Sequence, residues 1–474
     1  MKRRISGILS LAAALAACGG GGSGGSPAPP VVIAPTPTPT PSAACSLRAR
    51  QDWAFAQLNE WYLFPETLPA NLDPTPYATV DAYIDALTAT ARSQRRDRFF
   101  THLASIAEET AFFNSGASAG FGIRLATDTA ARRLFVAEAF EGAPALAAGI
   151  DRGTEILAIG TSASNLRTVD SIIASEGSAG ISAALGPLTA GTTRVLRITD
   201  AVGTREVSVT KANFTIPPVS SRYGAKVLAD GARRVGYVNL RTFINTADPA
   251  LRDAFAGFRA QGITEVIVDF RYNGGGLVSI AELMGDLLGG NRSTSEVLSF
   301  TTFRPEKASS SSTRNFRPQS QSVSPMKLAF IGTGGTASAS ELVINAFIPY
   351  FNANAALIGS NTFGKPVGQT AHDRLECDDR LRIVSFKTEN AARGGDYYDG
   401  LATKVGASCQ AADELARPMG DPAEASTSAA LDFLAGRTCT PIGSAQATRT
   451  KEAGRELVTP LRPTTAQREV PGLY

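Results

Sequence analysis

Histidine is nearly absent: His102 and His372 are the only two in 474 residues. That scarcity excludes a histidine-rich metal centre and leaves little room for histidine catalysis. Lysine is scarce as well. Nine of the 46 basic residues are Lys, so a lysine inside a motif stands out. No charge dominates, because 46 Lys and Arg face 43 Asp and Glu, a formal net charge of +3. A nucleic-acid partner, which calls for a strong basic excess, is excluded. Beyond the N-terminus no run of about 18 apolar residues occurs, so no later segment is expected to span a membrane. The five cysteines show no CxxC or Cys/His spacing suited to zinc, and neither metal nor cofactor is expected.

The first residues read as an export signal. Lys2, Arg3 and Arg4 precede a short apolar run, Ile5 to Ala17, which ends in Leu15-Ala16-Ala17-Cys18. Small residues before a Cys at that depth resemble a lipobox. That resemblance implies cleavage before Cys18, a lipid on its sulfur, and a place in a bacterial cell envelope. With Gly19 rather than Asp next, it implies the outer membrane, facing the periplasm or the cell surface. Removing residues 1–17 takes away three positive charges and no negative ones, so the basic excess belongs to the signal. Residues 18–44 hold six Gly, seven Pro and no charge, a composition that builds a tether rather than a core. An exported chain meets an oxidising compartment, so Cys45, Cys377, Cys409 and Cys439 are disulfide candidates. Three pairings are possible. Cys377–Cys409 with Cys45–Cys439 is favoured here, because the first two lie in one late segment.

Three textures follow. Residues 45–112 read as a helical module, with Trp53, Leu58, Tyr62, then Val80, Tyr83, Ile84 and Leu87 at helical spacing. Residues 113–213 carry short strand-like runs: 121–125, 134–139, 155–159, 194–198 and 206–210. Helix-like stretches span 144–148 and 169–175. From 214 to 436 strands and helices alternate, as in a largely parallel α/β core. Residues 309–324 read as a surface loop, and the polar tail 437–474 is expected to run over the surface.

Within the second region, Gly120-Phe121-Gly122-Ile123 and the Gly142–Ile150 stretch resemble a PDZ domain. The resemblance implies that Gly120, Phe121, Gly122 and Ile123 present backbone N–H groups to a peptide's terminal carboxylate, with the next strand pairing along the peptide. Gly153-Thr154 departs from the Gly-Asp common at that place. In the α/β region, Asp269-Phe270-Arg271-Tyr272-Asn273-Gly274-Gly275-Gly276 runs a strand through three glycines into a helix, a turn suited to an anion. It lacks the Lys-Ser/Thr of a phosphate loop. A second strand-to-helix turn is Gly334-Gly335-Thr336-Ala337-Ser338-Ala339-Ser340-Glu341, and Thr362-Phe363-Gly364-Lys365-Pro366-Val367-Gly368-Gln369 follows one strand later.

Together these pieces resemble the C-terminal processing peptidases, or tail-specific proteases, over roughly 118–404. That family implies an α/β crotonase-like (ClpP-like) catalytic core with an inserted PDZ domain. By the same resemblance Ser338 is the nucleophile and Lys365 the general base, oriented by Gln369. The N–H groups of Ala339 and Gly275, or its neighbour Gly276, form the oxyanion hole. A serine hydroxyl needs a neighbouring base, and a lysine is one only when burial keeps its amine neutral. Protein or peptide substrates with apolar C-termini are then expected. Other readings stand beside these. Ser338 with Glu341 also fits a capping box, and Ser340 is a competing nucleophile. His372 lies close to Gln369, but no Gly-x-Ser-x-Gly motif accompanies it. A non-catalytic ligand-binding protein on the same fold, or an adaptor working through its PDZ domain alone, are the rivals from another class.

Overall fold

The computed structural model describes residues 43–443 and 455–474. The export signal, Cys18 and nearly all of the tether lie outside the described residues.

The central element is a six-stranded sheet in the order Ala225–Asp230, Arg233–Asn239, Glu265–Asp269, Lys327–Gly332, Ala355–Gly359, Ala407–Gln410. The first pair is antiparallel and the rest are parallel. Its strands are apolar on both faces, as a covered parallel sheet requires. Val266, Val268, Leu328, Phe330 and Leu357 pack into a core with helices Ala247–Ala260, Val278–Leu288 and Ala339–Phe351. The intervening Ile267, Ala329, Ile331, Ala356 and Ile358 point the other way, against helix Ala425–Leu434. Because Glu265–Asp269, Lys327–Gly332 and Ala355–Gly359 are neighbours running in one direction, their C-terminal ends gather in one place. The two glycine-containing turns and the lysine loop all leave from there, the usual position of a site in such sheets.

A second sheet of seven strands includes Ile123–Asp128, Arg133–Ala139, Glu155–Gly160, Thr193–Asp200 and Gly203–Thr210. The helical stretch Val169–Leu185, broken at Gly177 (φ 66°, ψ −162°) just past the 169–175 stretch read from sequence, packs on it through Ile172, Ile181 and Leu185. A third sheet pairs Asp379–Glu389 with Val367–Arg374, Val297–Phe303 and His102–Ser105. The last of these strands comes from the region read as purely helical. Helices Leu47–Trp61 and Val80–Leu87 form there, capped by the side chains of Ser46 and Thr79. Their buried Leu58, Tyr83, Ile84 and Leu87 share a core with Leu381, Ile383 and Val384. This region is thereby packed onto the strands that carry the lysine loop.

Three expectations are corrected. The disulfides are Cys45–Cys377 and Cys409–Cys439. Grouping Cys377 with Cys409 in one late segment misled, because helix Ala425–Leu434 folds back and lays Thr440 beside the edge strand, where Gln410 N donates to its carbonyl at 2.7 Å. The stretch 309–324 contains strand Ser312–Asn315, and its Phe316 and Val323 are buried in the central core. The described part of the tail does not simply run over the surface either: Val458, Ala466, Val470, Leu473 and Tyr474 are all buried.

Cys45–Cys377 closes a loop of 332 residues and ties the first helix to the third sheet. Replacing both cysteines by serine is expected to lower stability by about 2–5 kcal/mol, read as a fall of several degrees in Tm. An unchanged Tm would show that the bridge adds nothing.

Candidate active site

Ser338 sits at the turn from strand Lys327–Gly332 into helix Ala339–Phe351, with φ 55° and ψ −112°. A non-glycine residue at positive φ is strained, and surrounding structure must hold it. Here Thr336 Oγ1 donates to Phe270 O at 2.7 Å, and Ala337 N to Asn273 O at 2.9 Å. The Ser turn is thus stitched to the glycine turn. Gly275, at φ 123°, backs directly on it: a Cβ there would stand 2.9 Å from the Ser338 Cβ, so only glycine fits. Ser340, the competing nucleophile, is fully buried and donates its Oγ proton to Asn273 O at 3.1 Å, which is a structural role. Asn273 also receives the Gly275 N–H on its side-chain oxygen at 2.9 Å. In this conformation the Gly275 amide is therefore engaged inside the turn. Ala339 N–H heads a helix of 13 residues, where the axial dipole favours negative charge.

The lysine loop is joined to the Ser turn by one carboxylate. Glu341 is completely buried and accepts from Ser338 N at 3.0 Å, Gly364 N at 2.7 Å and Lys365 N at 2.7 Å. The Ser338 and Lys365 amides meet the same oxygen, so the two backbones lie side by side. The Ser338–Glu341 contact is the return limb of the capping box read from sequence. Its extension to the lysine loop was not legible there. Burial pushes the Glu341 pKa up, and the hydrogen bonds to Thr362, Lys365, Gly364 and Ser338 oppose that rise. A positive-φ Gly364 lets the loop press against the Tyr398 carbonyl.

Lys365 is half-buried. Its Nζ donates to Gln369 Oε1 at 2.9 Å and lies 5.0 Å from the centre of the Phe100 ring. Gln369 Nε2 donates in turn to Phe100 O at 2.5 Å. Gln369 stands at a β-bulge, where the register of Val367–Arg374 against Asp379–Glu389 shifts between Gly368 and Gln369. Bulges re-aim side chains, and this one accompanies the turn of Gln369 toward the amine. Desolvation lowers the Lys365 pKa below its ordinary value, with Glu469 opposing and Arg468 reinforcing the shift. Lys365 and Gln369 line a cavity of about 590 Å³ together with Gly274, Gly335, Ala337 and Glu469.

His102 also lines this cavity. Its Nδ1 contacts Phe100 O at 2.7 Å, and burial holds its pKa well below the ordinary value. His372 packs against Trp61 and contacts Thr370 Oγ1 at 2.9 Å. Gly120, Phe121, Gly122 and Ile123 lie in the second sheet and its leading turn. Phe121 is buried in that sheet's core, while the Gly122 and Ile123 N–H groups both donate to Tyr474 O, at 2.8 and 3.1 Å. Sequence reasoning missed Arg98, whose guanidinium donates to Phe363 O at 2.9 Å and stacks 4.1 Å from the Phe363 ring. It also missed Asn273, the hinge between the two turns. Neither residue type carries a spacing signal; only the fold brings them in.

Residues 234–392 match the sequence profile of Peptidase family S41. Among curated proteins, it is 29% identical over 279 residues to carboxyl-terminal-processing peptidase 3, chloroplastic, of Arabidopsis thaliana, covering 56% of this chain and 49% of the relative. It is 28% identical over 261 residues to the carboxyl-terminal-processing protease of Picosynechococcus, covering 54% of this chain and 56% of that one. The chain spans about half the length of these two relatives. Among solved structures, one from Bacteroides fragilis assigned to the S41 proteases superposes with a TM-score of 0.63 at 22% identity, over 81% of this chain and 97% of that one.

Glu341→Ala is expected to leave three buried or half-buried amides without their acceptor. Stability should fall by about 3 kcal/mol or more, and amide exchange should quicken at Ser338, Gly364 and Lys365. Unchanged protection at these three amides would remove the carboxylate from its bridging role.

Proposed function

We propose that the chain is a serine endopeptidase of the tail-specific type, with a crotonase-like core and a PDZ domain over residues 113–213. The observation that carries this reading is the Glu341 carboxylate binding the Ser338 and Lys365 backbones through one oxygen, with burial lowering the pKa of the lysine amine.

The steps follow from the groups present. A neutral Lys365 donates one N–H to Gln369 and keeps its lone pair for the Ser338 hydroxyl proton. As Oγ attacks the scissile carbonyl carbon, the proton passes to Nζ and the carbonyl oxygen becomes an oxyanion. Ala339 N–H at the helix start and the glycine turn receive that charge. In this reading Gly276 N–H is the alternative donor, and Gly275 N–H joins once Asn273 Oδ1 releases it. Each such donor is worth about 3 kcal/mol in the transition state. Collapse breaks the C–N bond, and the leaving amine takes the proton from Lys365. Water, deprotonated by the same amine, then cleaves the acyl ester and frees Ser338.

The PDZ reading draws support from the Gly120–Ile123 turn, whose two consecutive N–H groups converge on one carbonyl oxygen. Substrates with apolar C-termini would be held there while the polypeptide enters the 590 Å³ cavity. Location in the bacterial envelope, with a lipid on Cys18, is supported by two disulfides in a chain whose first residues read as an export signal. Cys18→Ser is expected to move the protein from the membrane fraction to the soluble fraction; retention in the membrane would refute the anchor.

Ser338→Ala is expected to abolish cleavage of a tagged peptide with Tm unchanged. The base works deprotonated, so kcat/KM should fall as pH drops below the Lys365 pKa, at a midpoint below the usual lysine value of about 10.4. A midpoint at or above that value, or full activity in Lys365→Ala, would refute the dyad.

A further inference from the structure

The turn with converging N–H groups already has an occupant, the chain's own segment 470–474. Tyr474 N donates to Ile123 O at 2.8 Å, and Tyr474 O accepts from both Gly122 and Ile123. One step back, Leu125 N donates to Gly472 O at 2.8 Å, and Leu473 bridges Arg124 in antiparallel register. This is the backbone pattern of a peptide added to a sheet edge. The other half of the same edge is covered by Arg455–Leu457, paired with 126–128. Side chains complete the fit. Leu473 is buried with Phe140 and Phe214. Tyr474 enters the second sheet's core, and its hydroxyl meets Ser182 Oγ at 2.5 Å on helix Val169–Leu185. Gly120 leaves room for it: a Cβ there would stand 2.8 Å from the Tyr474 carbonyl carbon.

The residues just before reach the catalytic turns. Helix Thr465–Glu469, held through Gln467 Nε2 to Leu473 O at 2.8 Å, lays its end on the glycine turn. Gly274 N donates to Glu469 O at 2.9 Å, and a Cβ on Gly274 would collide with Arg468 O. Arg468 and Glu469 line the same cavity as Lys365 and Gln369. Arg124, fully buried, joins the two places. Its guanidinium donates to Pro471 O at 2.5 Å and to Tyr272 O, in the glycine turn, at 3.0 Å.

We propose that the groove along residues 123–125 selects peptides with an aliphatic-tyrosine pair, with Ser182 reading the tyrosine hydroxyl, and that segment 464–474 is a resident competitor which covers the catalytic cleft until such a peptide displaces it. The proposal rests on the peptidase reading for its second half, while the groove's selectivity stands without it. A ligand that finds the groove filled binds with an affinity reduced by the fraction of time it is empty. A site built to hydrogen-bond a hydroxyl discriminates against the ligand that lacks one.

The test uses the full chain carrying Ser338→Ala, so that no cleavage interferes, and a fluorescent Val-Pro-Gly-Leu-Tyr peptide read by anisotropy. Tyr474→Ala, with folding verified by Tm, should raise peptide affinity by about tenfold or more. The matching peptide ending in Phe should bind several-fold more weakly than the Tyr peptide, and Ser182→Ala should erase that difference. Should Tyr474→Ala fail to fold, hydrogen exchange on the chain with residue 474 intact replaces it: saturating peptide should quicken exchange at the Gly274 amide. No binding, affinity unmoved in a folded Tyr474→Ala, or Gly274 protection unchanged with peptide bound would each overturn the proposal. In the chain with Ser338 intact, the same peptide should speed cleavage of a second, untagged substrate. Cleavage that peptide does not speed would overturn the covering role of 464–474, whereas no cleavage with or without peptide, the binding arms being positive, would point to failure of the peptidase reading and leave the groove's selectivity standing.

Discussion

One buried carboxylate governs the candidate site. Glu341 accepts from the amides of Ser338, Gly364 and Lys365, and thereby makes two loops from two different strand ends into one object. A carboxylate without water is tolerable only when hydrogen bonds replace its hydration. The three amides do so, and in return each loses its freedom to turn away. The positive φ of Ser338 follows from this arrangement, since the residue must reach the carboxylate with its N–H while leaving the strand. The amine of Lys365 is then positioned by the other end of its own loop, through Gln369 on the bulged strand.

Beneath the glycine turn, charges are buried in number and matched. Arg271 is fully buried between Asp269 and Glu424, and Asp413 bridges Arg271, Arg152 and Tyr272. Burial works against the Asp413 carboxylate, but Arg152 and Arg271 pull its pKa down to about 2. Removing one partner of such a cluster is costly because the remaining charge stays buried. A second cluster, Arg124, Glu138, Arg241 and Glu141, ties the second sheet to the strand that precedes the catalytic helices. The two clusters fix the height of the glycine turn relative to both the Ser turn and the peptide edge.

Much of this was legible in the sequence, for identifiable reasons. The parallel strands announce themselves as short runs apolar on both faces, as in Val266–Val268 and Leu328–Ile331. The two strand-glycine-helix turns are visible because only glycine tolerates such backbone approach, as at Gly275. Ser338, Lys365 and Gln369 were singled out through the family resemblance of their motifs, and the structure brings the Lys365 amine onto Gln369. What was not legible depends on contacts between distant segments. The disulfide partner of Cys45 lies 332 residues away and is set by where the chain folds back, which sequence separation does not measure. The tail 455–474 was read as a surface segment because its residues are largely polar with scattered proline. Its burial comes from backbone pairing to Ile123–Asp128, and backbone hydrogen bonds leave no trace in composition. Glu341 was legible as a helix cap and illegible as a bridge, because the lysine loop it holds is a separate strand away.

The central claim is that Ser338, and no other group, forms the covalent bond to substrate. Rapid quenching of the protein with a tagged peptide, followed by intact-mass and fragment mapping, tests it directly. The account predicts a transient adduct with the mass of the acyl fragment, located on the fragment holding Ser338 at that residue. An adduct on Ser340, or turnover through which no adduct ever accumulates on Ser338 even at low pH where deacylation is slowed, would contradict it.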